Sequence, residues 1–308
     1  MRIMRQQIKL LNGCVLTFFT CWFFFQTGMA QPCEEIFLYE DLRNTELEVR
    51  KYDDTGKLTH ISGNVAPRLI VYKPEKACGT GIVICPGGGY STLNVENTRF
   101  IAGRLNRMGI TVFVLVYSLP ADIKNLDKTL LAMKDVQTAM QMVHNKAESL
   151  SLIPDRIGLW GSSAGGHLAA MAATHSSMSF IPGKDTTGLR PDFLILAWPV
   201  ISFRQGLVHK GSMKNLLGEN PSEEQIAFFS PEEWINERTP VTFLVHADDD
   251  KSVNSNNSII FYQALKNSGV KAELHIFEKG GHGFGIEPSI ADSWMEQLKN
   301  WLLARNLI

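Results

Sequence analysis

Short, almost continuously apolar runs alternate along the chain with longer segments whose apolar residues recur at helical spacing. Such runs are typical of strands buried on both faces, as in parallel sheets, and the segments between them supply the covering helices. We therefore predict an α/β fold with a mostly parallel central sheet and helices on both faces. The predicted strands are 69–72, 81–85, 111–117, 156–160, 193–198, 241–246 and 272–277, and the predicted helices lie near 100–108, 126–147, 166–173, 256–267 and 290–304.

Two segments depart from this alternation. Residues 47–52 alternate between apolar and polar positions, which predicts an antiparallel edge hairpin. Residues 202–238 are polar and are interrupted by Pro221 and Pro231. We interpret this second segment as an insertion over the active edge of the sheet, so that residues 31–308 form a single domain.

The first thirty residues have the pattern of a secretory signal peptide. Three basic residues precede an apolar run over 14–25, and Gly28 and Ala30 then supply small residues for a cleavage site. An uncleaved membrane anchor is the alternative, but the apolar run is short for a bilayer span. We predict cleavage near Ala30 and a secreted or periplasmic mature protein without a membrane span.

Composition and charge exclude some classes of protein. The 308 residues are 44% hydrophobic, which is typical of a soluble globular protein with a sizeable core. Removing the predicted signal peptide takes away three of 30 basic residues and none of 31 acidic ones, which leaves 27 against 31 and a formal charge of −4. Because no long basic run exists, we expect no nucleic-acid partner.

The cysteines of the mature chain are too few for a disulfide scaffold. Cys33, Cys78 and Cys85 allow one disulfide at most, and Cys33 with Cys78 is the pairing to test. Cys85 lies inside an apolar strand, where a buried thiol is expected. No spacing of cysteine and histidine indicates a zinc site, so we expect neither a metal nor a cofactor.

The segment Gly161-Ser162-Ser163-Ala164-Gly165 is a Gly-x-Ser-x-Gly pattern between a predicted strand and a predicted helix. This context is typical of a nucleophile elbow, in which a serine sits on a sharp turn with its hydroxyl above the sheet. Ser163 is therefore the candidate nucleophile. A chance turn is the alternative for the five residues taken alone.

A second glycine-rich segment, Pro86-Gly87-Gly88-Gly89-Tyr90, follows the strand at 81–85. Consecutive glycines let backbone N–H groups approach a ligand closely. Together with the N–H of Ala164, this loop is a candidate oxyanion hole. A flexible turn is the alternative reading.

Candidates for a base and an acid follow the last two predicted strands. His282 lies in the glycine-rich loop 280–285 and can take the proton of Ser163. The acidic run 248–250 follows the strand at 241–246, and one of its carboxylates can orient His282. The residues alone do not choose among the three acids, and a solvated acidic turn is the alternative.

At these motifs the chain resembles α/β-hydrolase esterases similar to bacterial acetyl xylan esterases and other carbohydrate acetylesterases. The order of nucleophile, acid and histidine is the one described for that fold. The resemblance places the acid between Ala247 and Val253, which selects Asp250, and it implies oxyanion donors from Gly88 and Gly89. The segments that carry it are 84–90, 161–168, 246–253 and 273–285.

Three positions depart from the pattern that the resemblance implies. Pro86 stands where the lipase branch often has histidine, Asn254 replaces a frequent proline, and Ser118 stands where an arginine is expected. None of these positions belongs to the candidate triad. The last two could alter loop rigidity or substrate preference.

The resemblance implies a serine esterase that removes short acyl groups, most simply acetyl, from plant-type oligosaccharides or polysaccharides such as acetylated xylan. A general short-chain carboxylesterase and a prolyl-oligopeptidase-like peptidase are the alternatives among enzymes. A non-catalytic binding module is disfavoured because no triad member is missing. Tyr90, Trp198 and Trp234 are candidate sugar contacts, although each could equally be a packing residue.

Overall fold

A computed structural model describes residues 32–40, 48–122, 128–284 and 288–308. The strands are β1 (Glu34–Phe37), β2 (Glu48–Tyr52), β3 (Leu58–Gly63), β4 (Arg68–Tyr72), β5 (Gly81–Cys85), β6 (Leu93–Asn94), β7 (Thr111–Val116), β8 (Ile157–Ser162), β9 (Phe193–Ala197), β10 (Val241–Ala247) and β11 (Ala272–Phe277). The α-helices are α1 (Val95–Arg107), α2 (Leu131–Asn145), α3 (Ala164–Thr174), α4 (Lys210–Leu217), α5 (Glu223–Phe228), α6 (Asn256–Asn267) and α7 (Pro288–Leu303).

Eight of the described strands form one sheet in the order β1-β4-β7-β5-β8-β9-β10-β11. The pairs β1/β4 and β4/β7 are antiparallel, and every pair from β7 to β11 is parallel. Parallel strands need crossover connections, and these are the helices that the sequence pattern predicts. The prediction of an α/β-hydrolase fold with a mostly parallel sheet is confirmed.

Helices cover both faces of this sheet. On one face α1 and α7 lie side by side, joined by an ion pair between Arg104 and Asp292. On the other face α2 packs against α3, and α6 packs against the far strands β10 and β11. Strands β4, β5 and β7 are buried at every residue.

Within the alternating segment, the described residues 48–52 form one strand of an antiparallel hairpin, but in a separate sheet. Strands β2, β3 and β6 make this small sheet, with β2 at its edge. The buried guanidinium of Arg68 in β4 binds both carboxylate oxygens of Glu48, at 2.7 and 3.0 Å. This bidentate pair fastens the small sheet to the large one.

The segment 202–238 lies over the active edge, as its sequence predicts. It carries α4, α5 and a 3₁₀ turn at Pro231–Glu233, and Ser222 begins α5 with a capping box. The side chain of Asn215 in α4 donates a hydrogen bond of 2.8 Å to the carbonyl of Gly89. The insertion therefore touches the triglycine loop directly.

The predicted signal peptide, residues 1–30, lies outside the described residues.

The cysteines of the mature chain are all described. Whether Cys33 pairs with Cys78 was left open by the sequence, and in the structure both thiols are free: Cys33 donates to the carbonyl of Val71. Cys85 is buried as predicted, and burial raises the pKa of its thiol. Among the described residues, no helix is both long and apolar enough to cross a membrane.

Candidate active site

Ser163 occupies a strained turn between β8 and α3. Its backbone has φ 54° and ψ −125°, a region that L-residues with a Cβ rarely adopt. A Cβ on Gly161 would run into the carbonyl oxygen of Gly165, and one on Gly165 would meet that of Cys85. The two glycines of the pattern are therefore required by close backbone approach. Backbone bonds from Ser163 to Ala197 and from Val200 back to Ser163 hold the turn, at 3.2 and 3.0 Å.

His282 connects Ser163 to Asp250. Its Nε2 lies 2.9 Å from Ser163 Oγ, and its Nδ1 lies 2.7 Å from Asp250 Oδ2. The three side chains follow β8, β10 and β11, whose carboxyl ends meet at one edge of the sheet, where α/β folds form their ligand sites. The structure thus brings together Ser163 and His282, predicted as nucleophile and base, with Asp250, the acid that the resemblance selects.

The three consecutive acids have three different surroundings. Asp250 points inward, its side chain fully buried, and its Oδ1 accepts the N–H groups of Ser252 and Val253 at 2.8 and 2.9 Å. Asp249 is exposed and accepts the N–H of Gly281, and Asp248 is exposed and accepts the hydroxyl of Ser255. Only Asp250 contacts His282 among these three carboxylates.

The charge of Asp250 is stabilised locally. Burial opposes ionisation of this carboxyl, but the hydrogen bonds from His246, His282 and Val253 outweigh burial and hold its pKa well below the ordinary value. A permanently ionised Asp250 keeps the Nδ1 proton on His282. The Nε2 of His282 is then left as an acceptor for the Ser163 hydroxyl.

A second histidine approaches the same carboxylate. The fully buried His246 has its Nε2 3.3 Å from Asp250 Oδ2 and 3.0 Å from the carbonyl of Val253, and its Nδ1 lies 2.8 Å from Ser258 Oγ. With the hydroxyl of Ser258 donating to Nδ1, the Nε2–H of His246 faces both oxygens. His246 therefore holds the carboxylate of Asp250 on its buried side, away from the cleft.

The triglycine loop holds two N–H groups in fixed directions. The carbonyl of Gly87 accepts the N–H of Asn94 at 2.9 Å, and the carbonyl of Gly88 accepts that of Thr92 at 3.1 Å. In a trans peptide the N–H points opposite to the C=O of the same plane, so these bonds fix the N–H groups of Gly88 and Gly89. Gly88 has φ +139°, and a Cβ there would meet the backbone oxygen of Thr92.

These glycines line a cleft of about 360 Å³ that opens above Ser163. This volume is at the small end for ligand sites, which suits a small group at the reacting centre. Most of the side chains that line it belong to polar residue types, and Ile101 and Trp198 are the apolar ones. The lining side chains beyond the triad include His60, Asn94, Asn97, Ser162, His209 and Ser252.

Two of the three candidate sugar contacts are packing residues. Tyr90 is 1% exposed, and its hydroxyl lies 2.8 Å from Nδ1 of the buried His167. The half-buried Trp234 does not line the cleft; it packs on His175 at the end of α3 and donates to the carbonyl of Ala227. Both predictions are wrong because neither ring lines the cleft.

The third candidate, Trp198, does reach the cleft. It follows β9 with a positive φ of 40° and is only 3% exposed, with its ring against Phe284 and Trp294. Trp198 is therefore part of the cleft wall, and its ring is too buried to serve as a surface on which a sugar stacks. Sequence patterns assigned no role to several lining residues, among them His60, Asn97 and His209. The predicted position of the insertion over the active edge was the one signal that pointed toward His209.

The sheet order and the loop positions of nucleophile, acid and histidine define an α/β-hydrolase. The chain belongs to the BD-FAE family, whose model matches residues 69–265. Among solved structures it is similar to an acetyl ester-xyloside bifunctional hydrolase from Caldicellulosiruptor lactoaceticus, with a TM-score of 0.74 and 32% identity, covering 92% of this chain and 100% of that one. The predicted resemblance to enzymes of the acetyl xylan esterase type is confirmed.

Two curated relatives are longer than this chain. It is 32% identical over 250 residues to an acetylxylan esterase of Xylanibacter ruminicola, which covers 79% of this chain and 49% of the relative. It is 28% identical over 212 residues to endo-1,4-beta-xylanase B of Butyrivibrio fibrisolvens, which covers 67% of this chain and 32% of the relative. The chain thus spans about half the length of the first relative and about a third of the second.

Proposed function

We propose that the protein is a serine esterase that hydrolyses short acyl esters, with acetyl as the acyl group. The observation that carries this proposal is the continuous hydrogen-bonded path from Ser163 Oγ through His282 to Asp250, at 2.9 and 2.7 Å. A serine hydroxyl is a weak nucleophile until a positioned base takes its proton. This arrangement supplies that base at hydrogen-bond distance.

In the first half-reaction, Ser163 Oγ attacks the ester carbonyl carbon while His282 Nε2 takes the hydroxyl proton. The carbonyl oxygen becomes an oxyanion, held by the N–H groups of Gly88, Gly89 and Ala164. The intermediate collapses, the bond from carbon to the alcohol oxygen breaks, and His282 returns its proton to that oxygen. Asp250 stabilises the imidazolium throughout.

In the second half-reaction, water attacks the acyl-serine carbonyl and gives a proton to His282. The bond from the acyl carbon to Ser163 Oγ then breaks, His282 protonates Oγ, and the carboxylic acid leaves. No other co-reactant is needed. The same N–H groups hold the second oxyanion.

For the substrate we propose acetylated oligosaccharides or polysaccharides of the xylan type. The names of the acetylxylan esterase and of the xyloside hydrolase support this class, as does the polar cleft wall, which offers hydrogen-bonding partners to hydroxyl groups. We also propose that residues 1–30 direct the chain out of the cytoplasm and that residues 31–308 act as one catalytic domain. The exported enzyme would then meet its xylan substrate outside the cell.

The test is hydrolysis of 4-nitrophenyl acetate together with acetate release from a panel of acetylated xylan, acetylated pectin and simple alkyl acetates. Ser163→Ala should abolish hydrolysis of every ester while circular dichroism and melting temperature stay near wild type. Ser149→Ala, an exposed serine on the loop after α2, serves as the matched control and should keep full activity. Retained activity in Ser163→Ala would overturn the mechanism. Release from simple esters alone would assign a general carboxylesterase.

A further inference from the structure

His209 presents a fixed hydrogen-bond donor to the cleft. Its side chain caps the N-terminus of α4, where Nδ1 accepts the backbone N–H of Ser212 at 3.2 Å, and the Ser212 hydroxyl lies 2.8 Å from the same nitrogen. A backbone N–H can only donate, so Nδ1 carries no proton. The ring hydrogen of the neutral tautomer must therefore sit on Nε2.

The ring is held neutral as well as oriented. Burial lowers the pKa of His209, the positive charge that His282 can carry lowers it further, and the carboxylate of Asp250 only partly opposes both effects. Nε2 makes no hydrogen bond to the protein among the described residues, and His209 lines the cleft beside Ser163 and His282. The Nε2–H of His209 is therefore free to donate a hydrogen bond to an oxygen atom of a molecule bound in the cleft.

The surroundings of His209 indicate which part of an ester this donor meets. In the proposed mechanism the carbonyl oxygen goes to the N–H groups of Gly88, Gly89 and Ala164. The alcohol oxygen must lie against His282, which protonates it. His209 lines the same cleft as His282, and its charge interactions there are with His282 and Asp250. The part of the ester assigned to its donor is therefore the alcohol side, which His282 protonates.

We propose that the Nε2–H of His209 donates a hydrogen bond to a hydroxyl or ring oxygen of the alcohol moiety, and so favours acetates of polyhydroxylated alcohols over acetates of simple alcohols. This inference rests on the proposed function and assigns one specificity-determining residue to it. A sugar offers several such oxygens next to its ester. A simple aryl ester offers none beside the ester itself.

Two variants separate the donor of His209 from its cap. The Oδ1 of asparagine can replace Nδ1 as the cap acceptor, but its short side chain withdraws the distal donor. The amide nitrogen of glutamine reaches the position of Nε2 but gives up the cap. We would measure kcat/KM for a methyl xyloside acetate and for 4-nitrophenyl acetate, and compare their ratio among wild type, His209→Asn and His209→Gln.

We expect His209→Asn to lower this ratio about two- to tenfold, the effect of losing one neutral hydrogen bond. We expect His209→Gln to keep the ratio closer to wild type while its melting temperature falls. Lys210→Ala, at the exposed next position, is the control and should leave the ratio unchanged.

An unchanged ratio in His209→Asn, or an equal fall in both variants, overturns the role of His209 and leaves the proposed esterase intact. A wild-type enzyme that hydrolyses 4-nitrophenyl acetate but no sugar acetate contradicts the inference together with the proposed substrate class. Absence of any esterase activity in the wild type contradicts the proposed function itself. The three failures are therefore distinguishable.

Discussion

Asp250 Oδ2 receives two imidazoles, with His282 Nδ1 at 2.7 Å on the cleft side and His246 Nε2 at 3.3 Å on the buried side. The other oxygen of this carboxylate accepts two backbone N–H groups. Asp250 is thus fixed from three directions before it orients His282. The position of the base depends on contacts that lie below the cleft.

The first prediction concerns His246. Leucine has a similar volume to histidine but cannot donate a hydrogen bond to Asp250. We expect kcat of His246→Leu to fall about tenfold, which corresponds to the lower end of the free energy of a hydrogen bond to a charged group. His246→Gln keeps an N–H donor and should recover part of this loss. Steady-state kinetics with 4-nitrophenyl acetate checks both, with KM nearly constant. If both variants lose melting temperature but keep wild-type kcat, His246 has only a structural role.

The second prediction separates the neighbouring acids. Asp250→Asn leaves His282 without its carboxylate partner, and we expect kcat to fall by about 10³ to 10⁴. Asp249→Asn keeps an oxygen acceptor for the N–H of Gly281 and should cost less than about tenfold, since only one neutral hydrogen bond changes. Kinetics on the two purified variants decides the assignment. A larger loss in Asp249→Asn would mean that the orienting acid has been misassigned.

The third prediction concerns the triglycine loop. Gly89 has φ +64°, and a Cβ there would make only an ordinary contact of 4.0 Å with Asn215 Nδ2, so alanine costs about 1 to 2 kcal/mol of backbone strain. Gly56, in the turn between β2 and β3, has φ +76° and no atom within 4 Å of such a Cβ. We expect Gly89→Ala and Gly56→Ala to lose similar stability in urea unfolding.

Only Gly89→Ala should also lose activity. Removing one oxyanion donor costs about 10² to 10³ in kcat, and a shift of the Gly89 N–H should approach this range. Gly56→Ala controls for the backbone strain because its turn is remote from the cleft lining. Equal kcat in the two variants would argue that the N–H of Gly89 does not hold the oxyanion.

The fourth prediction uses a buried carboxyl outside the cleft. Asp135 in α2 accepts the N–H of Ser118 at 2.7 Å and the hydroxyl of Tyr39 at 3.0 Å. Burial raises its pKa to about 6, although these hydrogen bonds oppose the rise. Between its ordinary pKa of about 4 and this value, the folded protein keeps a proton that the unfolded chain releases. The contribution of Asp135 to stability therefore falls as pH rises from about 4 to about 6.

Asp135→Asn removes this titration and keeps the size of the side chain. We expect the free energy of unfolding of the wild type, relative to the variant, to fall by about 2 to 3 kcal/mol over that window and to stay level above it. Urea unfolding of both proteins from pH 4 to 8 measures the difference. A difference that does not vary with pH would contradict the raised pKa.

Much of this architecture could be predicted from local patterns. The buried strands are continuous apolar runs, and the triad residues follow β8, β10 and β11 in segments rich in glycine or acid. The choice of Asp250 needed more than the residues, because three adjacent carboxylates look alike in sequence. In the structure the choice follows from the backbone turn after β10, which directs Ser252 N–H and Val253 N–H to one of them.

The predictions that failed depended on contacts between distant segments. Tyr90 follows the triglycine loop, and only the position of His167 on α3 shows that its ring turns inward. The possible pairing of Cys33 with Cys78, which the sequence left open, is likewise decided by distant contacts, because the two thiols donate to the carbonyls of Val71 and Leu307. His209 escaped notice because histidine is not among the preferred N-cap residues. Contacts of this kind depend on how segments that are distant in sequence pack together in the fold.

The triad is distributed unevenly across the sheet. Ser163 follows the interior strand β8, whereas His282 follows β11, a half-buried strand at the sheet edge whose neighbour in the sheet is β10. Edge elements with few buried contacts open at lower free-energy cost than a core strand. On heating, the base should therefore leave the nucleophile before the fold is lost, so that hydrolysis ceases at a lower temperature than the melting of the helices.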